Sequence, residues 1–306
     1  IKSLNADPAA DLAALNAAFL SGGLLIDVAP GARIEKPLEV LLHVDGQPIA
    51  AQPRLLVTVG ANSQFTLIEH YRGAGNGLTN AVTDVRCADG AHLAYVKLQI
   101  ESTGSHHVAL QRFVLERNSH AEILQLDLGG SLARNDLQVE LAAPGAQLGI
   151  HGLFVADGQS HVDNHTRLDH QAPHTYSRER YRGIAAERGQ GVFNGKIIVH
   201  AGADGTDAGL SNRNLLLSAQ AEIDTKPELE IYADDVKCAH GATTGQLDAN
   251  ALFYLRSRGL DAATARSVLV NAFAREILEQ VPLPWLREAV ENDLEQRLAH
   301  DAETPA

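Results

Sequence analysis

The chain has 306 residues, of which 45% are hydrophobic and 21% are charged, a composition typical of a globular protein. Its 25 basic and 38 acidic residues give a net charge of −13, which argues against nonspecific binding to nucleic acid or to an anionic membrane. No apolar run is long enough to span a bilayer. Two cysteines, Cys87 and Cys238, are too few for a disulfide framework, which indicates a reducing compartment.

The first predicted element is a short helix from Pro8 to Leu20, with Leu12, Leu15 and Phe19 on one face and two glycines after it. The chain begins at Ile1 and has no signal-peptide pattern. We therefore expect residues 1–22 to be a helical remnant, with an N-terminal segment missing before it.

One pattern then recurs from Leu24 to about Val236, in which an apolar strand runs into a turn of small residues and a second apolar strand leaves it. The turns are Pro30-Gly31-Ala32, Gly60-Ala61-Asn62, Asp89-Gly90-Ala91, Asn118-Ser119-His120-Ala121, Pro144-Gly145-Ala146 and Ser218-Ala219-Gln220-Ala221. Most steps are roughly 30 residues long, and a fixed period of this kind is typical of a stacked solenoid. A β-sandwich and a parallel β-helix both fit, and the long period favours a β-helix over residues 23–245.

The next segment joins a strand to a helix and contains the more interesting cysteine. Leu229 and Ile231 alternate with charged residues, which predicts a half-buried strand. Cys238 and His240 follow, two residues apart, in what we predict to be a turn, and extended backbone there would direct both side chains the same way. The next two glycines are predicted to turn the chain toward the helix. A thiol and an imidazole on one side are half of a site for a soft metal. Lys237 would favour the thiolate.

Residues 246–306 predict a C-terminal helical region. Asp248 is placed to cap a helix that starts at Ala249, Asp261 to cap a longer helix, and Pro284 to open a third. The longer helix carries an apolar stripe, part of which we expect to cover the solenoid and part to bind a partner. The stripe consists of Val268, Leu269, Ala272 and Phe273.

A second candidate metal site is His161, Asp163 and His165, which share one face of a predicted strand. Polar ladders are also normal on the solvated face of a coil, and we favour that structural interpretation. Cys87, just before a repeat turn, is predicted to be a small buried hydrophobic residue.

The competing function is that of a carbohydrate-active lyase or hydrolase, since such enzymes also use β-helices. Asp234 and Asp235 are adjacent, and neighbouring strand residues point to opposite faces, so they make a poor catalytic pair. Only 5% of the chain is aromatic, which disfavours sugar-stacking surfaces.

Three further runs complete a specific pattern with the segment from Tyr232 to Thr243. These runs are His161-Val162-Asp163-Asn164-His165-Thr166, Ser211-Asn212-Arg213-Asn214-Leu215-Leu216-Leu217-Ser218 and Ile223-Asp224-Thr225-Lys226-Pro227. On these motifs, from about Leu15 to about Leu294, the chain resembles the SufB/SufD family of scaffold subunits of the SUF iron–sulfur cluster assembly system, in its SufD form.

The resemblance implies a right-handed parallel β-helix in a cytoplasmic complex with the SufB paralogue and the ABC-type ATPase SufC. It implies a transient iron–sulfur cluster held between a cysteine of the paralogue and His240 of this chain. We add Cys238, two residues before His240, as the weaker candidate ligand. It also implies that the C-terminal helices dock the ATPase. Because the chain lacks a nucleotide-binding motif, we expect a non-catalytic scaffold that binds no nucleotide itself. The strands that end the solenoid should leave a pairing edge, so we expect the isolated chain to form a homodimer.

Overall fold

The computed structural model describes residues 8–44, 49–281 and 283–300, in which two parallel sheets face each other. The first sheet contains β1 (Leu24–Val28), β3 (Ala50–Ala51), β4 (Arg54–Val59), β6 (Leu78–Cys87), β8 (His106–Leu115), β10 (Leu132–Leu141), β12 (His161–His170), β14 (Gln190–Val199) and β16 (Glu222–Ile231). The second contains β2 (Leu38–His43), β5 (Gln64–Gly73), β7 (His92–Glu101), β9 (His120–Asp127), β11 (Gln147–Ala156), β13 (Tyr176–Ala185), β15 (Asp207–Leu216) and β17 (Lys237–Gln246). From β4 onward the chain alternates between the sheets, so the fold is the predicted parallel β-helix.

Four helices complete the described chain: α1 (Pro8–Ala18), α2 (Ala249–Ser257), α3 (Ala262–Leu278) and α4 (Pro284–His300). Asp248 caps α2 by accepting the amide of Asn250 at 2.9 Å, and Asp261 caps α3 by accepting that of Thr264 at 2.9 Å. Both caps are those that the sequence predicts, because a carboxylate satisfies an amide left free at a helix start.

The interior of the solenoid is built from stacked rows of identical register. In the first sheet, Val59, Cys87, Leu115 and Leu141 lie above one another and are fully buried. Alternate residues of each strand point inward, so one face of every coil supplies the core between the sheets. Cys87 is therefore the small buried residue that its position predicts, and burial raises the pKa of its thiol to about 12.

One corner of the coils holds a column of left-handed residues. Its members, each at positive φ, are Gly31, Asn62, Gly90, Asn118, Gly145, His174 and Gly205. Backbone hydrogen bonds connect neighbouring turns of this column. The Gly90 amide, for example, donates at 2.8 Å to the carbonyl of Arg117, which precedes Asn118. A Cβ on Gly145 would lie 2.1 Å from the Asn118 side-chain oxygen, so the asparagine side chain occupies the space that the next glycine leaves free.

α1, α3 and α4 lie on the outer faces of the sheets and do not cap the coil ends. α3 and α4 bury the outer face of the second sheet, where Leu126, Leu153 and Ile184 pack with Val270 and Ile277. This face is apolar enough to require a cover, because burying each such side chain contributes roughly 1.5–3 kcal/mol. The solenoid end at β16 and β17 remains exposed.

α1 packs through a polar residue and not through its predicted apolar face. Asn16 is fully buried and donates to the carbonyl oxygens of Pro53 at 3.0 Å and Asn80 at 2.8 Å. Leu15 is 39% exposed and Phe19 is 67% exposed. A buried side-chain amide that satisfies two backbone carbonyls fixes the helix against β6, which a pattern of apolar residues does not reveal.

Candidate functional site

Cys238 and His240 lie in the last strand, β17, and not in a turn as predicted. Gly241 and Gly245, expected to turn the chain, belong to the same strand. The prediction was wrong because small residues and glycines are typical of turns. Pairing in register with β15 nevertheless makes this segment a strand. β17 pairs with β15 from Lys237 to Gln246. The prediction that both side chains share one side is retained, since residues two apart on a strand do so.

That shared side is the interior of the solenoid, where the last coil is open. Cys238 stands in register with Ala208, and His240 with Leu210, and both partners belong to the buried core. Cys238 packs against this core and is half-buried, whereas His240 is exposed. The thiol and the imidazole therefore face the open end, where another chain can approach them.

The environment of Cys238 favours the thiol form. Partial burial raises the pKa of its thiol, and the nearby Asp207 adds to that effect, while the Ala208 amide and Arg178 oppose it. We expected Lys237 to favour the thiolate, and the structure does not support that expectation. A metal that binds this sulfur must therefore displace its proton, as metal binding to thiols generally does.

A column of polar side chains inside the solenoid was missed by the sequence reasoning. Lys97 is fully buried and lies 3.8 Å from Asp127, and Glu69 accepts from Thr83 and Tyr71, each at 2.9 Å. These residues sit at inward positions of strands that otherwise read as ordinary half-polar strands. The only signal was that charged residues occupy both the odd and the even positions of these strands, which breaks the simple alternation of apolar and polar residues.

Glu179 is the member of this column that stands in the same row as His240. It is in register with Leu210, and Leu210 is in register with His240. Both carboxyl oxygens are buried and make no hydrogen bond within the described residues. Burial raises the pKa of Glu179 to about 7, because an unpaired carboxylate is poorly solvated there.

In the His161, Asp163 and His165 group, Asp163 and His165 form ion pairs on the outer face of the first sheet, and His161 Nδ1 lies 3.3 Å from Gln190 Oε1. Asp163 binds His165 Nε2 at 2.8 Å and Arg134 Nη1 at 2.6 Å, and Arg134 also binds Asp136 at 3.0 Å. The guanidinium occupies the carboxylates that a metal would need. The contacts support the structural interpretation of this run.

Asp234 and Asp235 lie in a bend between β16 and β17 and not on a strand. The sequence argument against them assumed strand geometry, and that premise was wrong. They precede the terminal strand, outside the cleft that lines the outer face of the second sheet beside Tyr176 and Arg178.

The apolar stripe of α3 divides between the solenoid and solvent. Val268 is 44% exposed and Ala272 is exposed, whereas Phe273 packs on the second sheet and lies 5.7 Å from the Arg182 guanidinium. Leu269 is half-buried. The sequence reasoning predicted α2 but missed its exposed aromatic residues, Phe253 and Tyr254, which are 75% and 62% exposed.

Within residues 8–44, 49–281 and 283–300, no group of three or more histidine, cysteine or acidic residues could hold a metal ion. Cys238 and His240 are two potential ligands, fewer than the four of a tetrahedral site. None of the helices in the described ranges has the length and apolarity to cross a membrane.

Comparison with known families decides the relationship that the motifs suggested. Residues 42–273 match the family described as SUF system FeS cluster assembly, SufBD core domain. The chain belongs to the SufBD family. This match covers the coils from β2 through β17 and continues into α3, so it includes both Cys238 and His240.

Named members of the SufBD family align over most of the chain. It is 36% identical over 280 residues to the iron–sulfur cluster assembly protein SufD of Escherichia coli, covering 89% of this chain and 66% of that protein. It is 35% identical over 285 residues to a SufBD family protein of Synechocystis, covering 89% of this chain and 63% of that protein. Identity to SufB of Bacillus subtilis is 26% over 278 residues, covering 89% of this chain and 59% of that protein. The chain spans about two thirds of the length of its SufD relative.

Proposed function

We propose that this chain is a non-catalytic scaffold subunit of the SufD type, which pairs with a SufB paralogue and a SufC ATPase in a reducing compartment such as the cytoplasm. The observation that supports this most is the position of Cys238 and His240. Both face the open end of the solenoid, on a terminal strand whose free edge can receive another chain. A nascent iron–sulfur cluster is the cargo of such a complex, and these two side chains would hold one side of it.

The hydrogen-bond directions indicate which terminal strand receives the partner. The Lys237 amide donates to the carbonyl of Thr206, the residue just before β15, so the alternate amides of β17, including those of His240 and Ala242, point away from the solenoid. In β16 the Tyr232 amide donates inward to Val199, which places Pro227 among the outward positions. Proline has no amide to donate, so β17 offers the complete edge.

We propose that the ATPase docks on the C-terminal helices, at a surface centred on Phe253 and Tyr254 of α2 with Val268 of α3. Large exposed aromatic residues are typical anchors of protein interfaces. Phe273, which we included in the predicted stripe, contributes by holding α3 on the solenoid.

The exposed aromatic residues do not favour the carbohydrate-enzyme alternative. Tyr232, Phe253 and Tyr254 lie near the solenoid end and on α2, not in a line along the coils as a sugar-stacking groove needs. Tyr176 lines the cleft on the second sheet, where the Arg178 guanidinium covers its ring at 4.3 Å.

The proposal is tested by His240→Ala in the chain co-expressed with its paralogue and ATPase. The complex should assemble normally, since an exposed side chain usually changes stability by less than about 0.5 kcal/mol. Iron and acid-labile sulfide per complex should fall severely, and Cys238→Ala should have an equal or smaller effect.

The control is a triple variant of the outer ion-pair group, His161→Ala, Asp163→Asn and His165→Ala. It should lower cluster content only in proportion to lost complex. Normal cluster formation in the His240 variant, together with cluster loss from a well-folded triple variant, would place the site on the outer face instead.

A further inference from the structure

Four arginines lie together on the outer face of the second sheet, near its last strands. Arg178, Arg180 and Arg182 occupy alternate positions of β13 and therefore share one face. Arg213 of β15 is in register with Arg182. Lys237 begins β17 in register with Asp207. This cationic surface stands out in a chain whose net charge is −13.

Two of the four arginines are neutralised by ion pairs within the chain. Arg178 donates to the Asp207 carboxylate at 2.8 Å, and Arg182, whose side chain is 2% exposed, pairs with Glu276 of α3. Arg180 and Arg213 differ, because both are exposed and neither makes an ion pair or a side-chain hydrogen bond within the described residues. Two guanidinium groups are thus free to bind an anion.

The surface between these arginines is formed by small residues and is open to an approaching chain. Gly209 and Ser211 of β15 separate Arg178 and Arg180 from β17, and no atom lies within 4 Å of the position that a Cβ on Gly241 would take. An extended peptide can approach such a floor closely. Glu122, the carboxylate in the adjoining cleft, is already held by His120 Nε2 at 3.0 Å and lies 3.5 Å from His151 Nε2.

We propose that Arg180, Arg213 and Lys237, the basic face, bind an acidic segment of a partner protein in extended form. Guanidinium groups pair with carboxylates in a planar, bidentate manner. A short acidic segment needs only the local field of the basic face. A nucleic acid carries charge along its whole length and would also meet the overall negative potential of the chain.

The test uses the full chain and a fluorescein-labelled peptide of alternating glutamate and threonine, with binding followed by fluorescence anisotropy. Arg180→Gln with Arg213→Gln should weaken binding about tenfold, because two exposed ion pairs are lost. Binding should also weaken with salt, since exposed charges are screened over about 10 Å at about 0.1 M. The measurement requires no iron and no ATPase, so it is independent of the proposed scaffold function.

The matched control is Arg33→Gln with Arg188→Gln, which removes the same charge from exposed positions in other coils. This pair should bind the peptide as the parent does, with circular dichroism confirming the fold of all variants. Equal loss in the control pair, no peptide binding by the parent, or equally tight binding of a single-stranded oligonucleotide of the same charge would each overturn the proposal.

Discussion

Individual side chains inside the solenoid determine how its stability responds to pH. Glu179 is raised to a pKa of about 7 by burial, above its ordinary value of 4.5. The folded state therefore holds this proton more tightly than the unfolded state does. Its contribution to stability is fully present below the ordinary pKa and is lost as the pH rises through about 7.

Glu179→Gln should make the protein less sensitive to alkaline pH. Relative to the parent, the variant should gain about 3 kcal/mol of unfolding free energy as the pH rises from about 4 to about 8.5. Urea unfolding at a series of pH values measures this shift. Glu222→Gln, which removes an exposed carboxylate of β16, controls for net charge, and a pH-independent difference for Glu179→Gln would contradict the argument.

A second prediction at this scale concerns glycines that make room for buried rings. A Cβ on Gly152 would lie 2.1 Å from the Tyr181 ring, which is buried and packs 4.7 Å from the Phe193 ring. Gly152→Ala should destabilise the protein by about 1–3 kcal/mol through overpacking. The control Gly241→Ala, also on a strand but with open space around it, should change the thermal midpoint little, and equal losses would show that strand glycine alone is responsible.

At the scale of elements, the C-terminal helices serve two purposes that the structure separates. α3 and α4 cover the apolar outer face of the second sheet, whereas α2 has no buried residue. Solenoid stability is local, and on that ground alone a chain cut at Asp261 would keep a folded β-helix. The packing argues otherwise, since removing α3 and α4 would expose the face that contains Leu126, Leu153 and Ile184.

The sharper experiment leaves both covering helices in place. Phe253→Ser with Tyr254→Ser should leave the unfolding midpoint nearly unchanged, because both side chains are mostly exposed. Capture of the ATPase in a pull-down should fall strongly, as truncating aromatic anchors of an interface usually costs 2 kcal/mol or more, roughly a 30-fold loss of affinity. Trp285→Ser on α4, which removes another half-exposed aromatic side chain, should leave capture intact, and a similar loss there would indicate nonspecific adhesion.

At the scale of the whole molecule, the open end of the solenoid should govern self-association. A ten-residue strand with one free edge is a template for pairing with another chain. In isolation, we expect two copies to meet there as a two-fold homodimer. Light scattering should give the mass of a dimer, and Ala242→Pro, which removes an outward amide of β17, should shift the population toward monomer.

The control for this experiment is Thr103→Pro, at an exposed turn position between β7 and β8. It tests whether dissociation follows from any proline substitution, and its own fold is checked by circular dichroism. A parent that remains monomeric at high micromolar concentration would show that β17 does not pair with a second copy.

The sequence by itself determined the architecture, because each stacked coil repeats the same local sequence features. Small turn residues at a fixed period, apolar residues alternating on strands, and aspartates before Ala249 and Ala262 each act through neighbours in the chain. The same local logic placed Cys238 and His240 on one side of extended backbone. It failed at Gly241 and Gly245, since a glycine in a strand and a glycine in a turn look alike until a neighbouring strand supplies pairing partners.

Only the tertiary structure decided which side faced the interior and what covered the exterior. Glu179, Leu210 and His240 are about 30 residues apart along the chain and become one row only when the coils stack in register. Arg180 and Arg213 likewise keep their charges unpaired because Asp207 and Glu276 pair with the other two arginines. Pairing, burial and charge balance of this kind depend on distances between residues remote in sequence, and alternation within a single strand carries no information about them.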